Sequence, residues 1–169
     1  MPIAVRLGIL SPEDMVLKAG DLPPGFRVSA DFATLSLGLT APVWGSPNHA
    51  RSSGGSTGHS AVLVRDAGPG SDGVVSIATT AVGYETAASA RTDFERVVEP
   101  APGPTVRHHG GSASSHSARY RIGSALIEEV VLLVRNYIVV LSAVRYAASP
   151  STSASTDYTE LMRSKLADL

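Results

Sequence analysis

The chain has 169 residues, of which 43% are hydrophobic and only 17% charged, with a formal net charge of −1 and no cysteine. That length is enough for one domain with a proper core. The near-neutral balance without a basic run argues against a nucleic-acid surface, and the missing cysteines exclude disulfides, thiolate metal sites and cysteine nucleophiles.

The opening residues, MPIAVRLGIL, place one Arg in a short apolar run with no small-residue cleavage site after it, so no signal peptide is expected. The chain is then cytoplasmic if this start is native, or else the mature part of an exported protein. No run is long enough to span a bilayer; residues 137–148 come closest, and Arg145 interrupts them. Ser11-Pro12-Glu13-Asp14 predicts a helix start, with Ser as N-cap, Pro at the first helical position and acids in the first turn. The helix should run to about Ala19 and stop at Gly20, with Met15, Val16 and Ala19 inward. Leu22-Pro23-Pro24-Gly25-Phe26 redirects the chain, because Pro-Pro-Gly suits neither helix nor ladder. Phe26, Val28, Ala30 and Phe32 then alternate with Arg27, Ser29 and Asp31, the pattern of a half-buried strand that Leu35, Leu37 and Leu39 continue. Residues 42–59 read as a long Pro-, Ser- and Gly-rich loop. Trp44 within it is either a plug over the sheet edge or a contact for a partner.

Two strands, 60–66 and 74–82, flank the turn cluster 68–73 and should pair. Residues 85–98 form an amphipathic helix: Ala87, Ala90, Phe94, Val97 and Val98 share one face, while Arg91, Asp93, Glu95 and Arg96 point outward. A second loop, 99–115, carries His108-His109, and Ser117–Ile122 leads as a strand into Leu126–Tyr146. That stretch folds back at Arg135-Asn136 and is apolar on both faces, so it belongs in the middle of a sheet covered on both sides. With a two-residue loop, Glu128 faces Ala143 and Arg145 lies diagonal to Glu128, within reach of a cross-strand charge pair. Glu128, Glu129 and Arg145 read as a polar strand end near solvent. A last helix runs from about Asp157 to Ala167, with Tyr158, Leu161, Met162 and Leu169 on one side and charges that match its dipole. The whole predicts a single α+β domain over residues 1–169: a mostly antiparallel sheet flanked by helices.

The N-terminal helix before Leu22-Pro23-Pro24-Gly25-Phe26, the strand pair feeding helix 85–98, and the hairpin tip Val134-Arg135-Asn136-Tyr137 before a last helix form a recognisable order. It resembles the α/β/α sandwich of PsbP-like domains in bacterial exported and lipoprotein-type proteins, although the Arg-Gly-Asn-type tip turn of that group lacks its Gly here. The resemblance implies a non-enzymatic, extracytoplasmic or cell-surface accessory module.

The residues themselves carry little chemistry. No nucleophile elbow, Walker loop, dinucleotide fingerprint, zincin motif or calcium loop is present. His108 and His109 are adjacent and would point to opposite faces of a strand, and no acid accompanies them, so no metal site is expected. His59, Ser60 and Asp66 or Asp72 make a triad only on paper. No catalytic residue, metal or cofactor is assigned, and Trp44, His108 and His109 are the binding candidates. The expected function is a non-catalytic accessory or binding domain that meets another protein through a surface flanked by the two long loops. The alternatives are a small cytoplasmic subunit of a larger assembly and, last, a small-molecule- or metal-binding enzyme using the histidines.

Overall fold

The computed structural model describes residues 10–34, 54–66, 72–98, 106–112, 114–146 and 157–169, and within them the predicted hairpin lies at the heart of the sheet. Seven antiparallel strands form it: β1 (Arg27–Ala33), β2 (Gly55–Val64), β3 (Val74–Tyr84), β4 (Val106–Ser112), β5 (Ser115–Ile122), β6 (Ala125–Val134) and β7 (Tyr137–Tyr146). Their order across the sheet is β1-β2-β3-β7-β6-β5-β4, so β7 is central. The register is the one a two-residue turn requires: Val134 pairs with Tyr137 and Glu128 with Ala143. The turn is closed by Arg135 at φ 56°, the left-handed conformation such a hairpin demands even of a residue that disfavours it.

Among the described residues three helices cover the sheet: α1 (Pro12–Met15), α2 (Ala87–Val97) and α3 (Tyr158–Ala167). One face carries α1 and α3, with Met15, Leu17, Phe26, Tyr158 and Met162 packed on Leu63, Ile77, Val139 and Leu141. The other carries α2, whose Ala90, Phe94 and Val97 sit on Val82, Val131, Ile138 and Val140. Strand alternation explains the split, because even and odd residues of β6 and β7 feed opposite cores. The α+β prediction, with helices on both sides of a mostly antiparallel sheet, therefore holds.

Several boundaries move, each for a physical reason. The first helix is one turn, not two, with Val16 already extended and Ala19–Asp21 forming a separate 3-10 turn. The chain leaves the helix early because the Leu17 amide donates to Thr79 Oγ1, which buries Val16 and Leu17 against the sheet. Residues 55–59 are strand rather than loop, since β3 continues to Tyr84 and supplies them with partners. Gly58 makes this possible: a Cβ there would stand 1.7 Å from the Thr34 carbonyl oxygen. The segment 106–112, read as loop, pairs with β5 as the edge strand β4, with an irregularity between His108 and Gly110. β1 does not bury its alternate residues: a bulge between Val28 and Ala30 breaks the alternation, and Val28 and Phe32 remain exposed on an edge strand. Asp93, expected to point outward from α2, is fully buried and accepts a hydrogen bond from the Tyr84 hydroxyl.

Candidate functional site

On the α1/α3 face a cavity of about 400 Å³ lies between the first turn of α3 and strands β5, β6 and β7. Its floor is aliphatic, from Val130, Leu141 and Ala143. One wall is polar: Ser117 and Arg119 from β5 and Glu128 from β6. Asp157, Tyr158 and Thr159 of α3 form the roof. The sequence builds this shape directly. Asp157 caps the helix by accepting from the Glu160 amide at 3.1 Å, which fixes where α3 begins. Ala143 and Ser117 are too small to fill the space beneath it.

The cavity lies at the end of a chain of ionic contacts that crosses the sheet. Arg119 pairs with Glu128, and Arg145 reaches the same carboxylate from β7 at 3.6 Å, the diagonal pair predicted from the hairpin register. Further along, buried Arg65 pairs with buried Asp72 and donates through Nε to the Val74 carbonyl at 2.7 Å. Tyr158 joins helix to sheet here, its hydroxyl donating to Asp72 at 2.5 Å. The Arg65 guanidinium also lies over the Phe26 ring, 4.4 Å from its centroid, so the Leu22-Pro23-Pro24-Gly25-Phe26 turn is anchored in the same cluster. Burial works to raise the Asp72 carboxyl, but the Tyr158 hydroxyl, the Val74 amide, Arg65 and Arg145 together hold it below its ordinary value.

Glu129, one residue from Glu128, faces α2 and has a different fate. It is 3% exposed rather than near solvent, as the sequence suggested. Ser142 donates to its Oε1 at 3.0 Å, and Tyr120 is its other polar neighbour. Burial pushes its carboxyl up to about 7, against the smaller pull of Ser142 and Tyr120. The Tyr120 hydroxyl is raised in turn, by burial first and then by the Glu129 charge.

Of the residues singled out from sequence, Trp44 lies outside the described residues, as does most of the 42–59 segment. His108 and His109 fall on edge strand β4, where His108 pairs in register with Ala118. The paper triad does not assemble. His59 pairs with Asp31 on one face, Ser60 Oγ meets Thr80 Oγ1 at 2.9 Å, and Asp72 belongs to the Arg65 cluster. Among the described residues no three His, Asp or Glu side chains gather as a metal site, and no helix is long and apolar enough to cross a membrane. Sequence reasoning missed the cavity, because it lies where elements distant in the chain meet. It also missed Asp93 and Glu129, whose one available signal was position: an acid at a core-facing phase of its helix or strand.

Comparison with known proteins agrees on fold. No protein-family model matches the chain, and no curated protein matches it in sequence. Among solved structures, it is similar to the extracellular domain of PknH from Mycobacterium tuberculosis, with a TM-score of 0.62 at 10% identity, covering 94% of this chain and 95% of that one. An uncharacterized protein of Mycobacterium smegmatis aligns over 88% of this chain and 89% of its own at 15% identity, with a TM-score of 0.35. At these identities the PknH likeness is one of architecture: the chain shares the fold of a bacterial extracellular domain.

Proposed function

We propose that this chain is a single, non-catalytic binding domain that works outside the cytoplasm, and that its recognition site is the cavity beneath α3. The observation that carries this reading is the cavity itself: a concave space with an aliphatic floor and convergent polar groups, the usual form of a small-molecule site. Arg119 is engaged with Glu128, and Asp157 with its own helix, which supports a binding reading over a catalytic one. The extracytoplasmic part is supported by the likeness in fold to an extracellular domain. A PsbP-like relationship is a narrower version of the same reading, supported by the layered α/β/α order and the hairpin before the last helix. The cavity shifts the expected partner from a protein surface toward a small molecule.

The test is a titration of the isotope-labelled chain with a set of neutral, anionic and cationic fragments, followed by amide chemical shifts. Saturable shifts confined to residues 117–119, 128–130 and 157–159 support the site. If no fragment of any charge perturbs these residues, the cavity is not a recognition site and the reading fails.

A further inference from the structure

We propose that the cavity is built for a neutral, polyhydroxylated ligand: a mono- or disaccharide, or a similar cyclic polyol. The inference rests on the reading above and specifies its ligand class. It follows from the state of the charges. Arg119 bonds Glu128, and Arg145 stands 3.6 Å from the same carboxylate on the far side. Asp157 is occupied as the cap of α3. An ionic ligand would have to shed its own hydration and compete with these partners for a counter-charge, and the offsetting charges of the site give it no net attraction in return. A hydroxyl group has no such cost. It donates and accepts at once, so a vicinal diol can accept from the remaining N–H groups of Arg119 while donating to the spare lone pairs of Glu128. Ser117 and Thr159 add hydroxyls on two sides of the same space. Beneath them Val130, Leu141 and Ala143 offer an aliphatic floor against which the C–H face of a sugar ring can lie. A volume of about 400 Å³ suits a ligand of that size.

The experiment uses the full chain and named probes: glucose, N-acetylglucosamine and maltose as neutral ligands, sodium glutamate and lysine hydrochloride as ionic ones. Amide shifts are followed at residues 117–119 and 157–159. The expected result is saturable shifts with at least one sugar and none with the ionic probes. Arg119→Ala should weaken sugar binding roughly tenfold or more, as loss of a charged hydrogen-bond donor does. Ala143→Leu should abolish binding by filling the floor; should it unfold the protein, Ser117→Phe at the cavity wall serves the same purpose. Saturable shifts by an ionic probe with none by the sugars would overturn the proposal while leaving the cavity a binding site. Sugar-induced shifts that survive Ala143→Leu and Ser117→Phe, or that never saturate, would overturn it as well, and so would silence from all three sugars. Silence from the sugars alone leaves the recognition site standing if the fragment titration finds ligands there.

Discussion

Glu128 and Glu129 are neighbours in the same strand, yet they live in two different electrostatic worlds. Glu128 points to the α1/α3 face, where two arginines meet it and solvent reaches it. Glu129 points to the α2 face, where it is almost wholly buried with a serine and a tyrosine for company. The whole sheet repeats this division. On the α1/α3 face the buried acid among the described residues, Asp72, has Arg65 beside it. On the α2 face the polar partners of Glu129 and Asp93 include the hydroxyls of Ser142, Tyr120 and Tyr84. Deep burial lifts Glu129 to about 7 against the smaller pull of Ser142 and Tyr120, while on Asp72 the Tyr158 hydroxyl, the Val74 amide, Arg65 and Arg145 together outweigh burial and lower it. One residue of register separates a paired ion from a carboxyl poised to hold its proton.

The largest test of this contrast is Arg65→Ala. It leaves Asp72 buried beside Tyr158 with its counter-ion gone, and removes the cation over Phe26. Breaking a buried pair from one side costs about 3–5 kcal/mol. Urea unfolding of the variant should show a loss of that order; a loss no larger than that of an ordinary surface substitution would mean that Asp72 does not depend on its cation.

The second test is pH. The folded carboxyl of Glu129 lies near 7 and its ordinary value is 4.5, so between these the folded protein holds a proton that the unfolded chain has released. The stabilisation from that proton is complete below about 4.5, falls as pH rises and is gone above about 7. At about 1.4 kcal/mol per unit, the loss across the window is on the order of 3 kcal/mol at most. Glu129→Gln keeps an acceptor for Ser142 and has no proton to lose. Its stability measured against wild type should therefore gain steadily from pH 4.5 to 7 and then level off. Parallel curves for the two proteins would show that Glu129 is ionised in the folded state throughout.

The same contrast explains what could be read in the sequence. The hairpin, its register and the Glu128–Arg145 diagonal were legible because strand alternation and a two-residue turn are local rules, and ten paired positions leave no second register that buries the same residues. Helices α2 and α3 were legible from their apolar faces, although each begins a residue or two later than read, after its cap at Thr86 or Asp157. The α1 and β4 boundaries were not, because a bond from the Leu17 amide to Thr79 and the pairing of residues 106–112 with β5 are contacts between distant segments. The cavity belongs to the same class. Ser117, Glu128, Ala143 and Asp157 come from four elements, and no spacing rule in one element announces the others. Asp93 and Glu129 were misread as surface acids because composition says that acids are exposed, while their phase placed them in the core.

A smaller effect is expected from Tyr84→Phe. It deprives buried Asp93 of the tyrosine hydroxyl that bridges β3 to α2, and losing a hydrogen bond to a buried polar group costs about 1–3 kcal/mol. Amide exchange should report the loss first in α2, the element that this bond ties to the sheet. Faster exchange spread evenly over all seven strands would mean that the bond stabilises the protein as a whole and does not specifically hold α2.

Glu128→Gln should matter least to stability, and that small effect is what the contrast most needs. Glu128 is about a third exposed and Arg119 about half, so the pair is screened by solvent and worth roughly 0–1 kcal/mol. The substitution also leaves the pH dependence set by Glu129 untouched, because the two side chains lie on opposite faces of β6. Two variants one residue apart should then separate cleanly: Glu129→Gln changes the shape of the stability-versus-pH curve, and Glu128→Gln shifts it by little at every pH. If Glu128→Gln altered the slope between pH 4.5 and 7, the two faces would be electrostatically coupled through the sheet. The division between the two faces would then give way to a single network of acids.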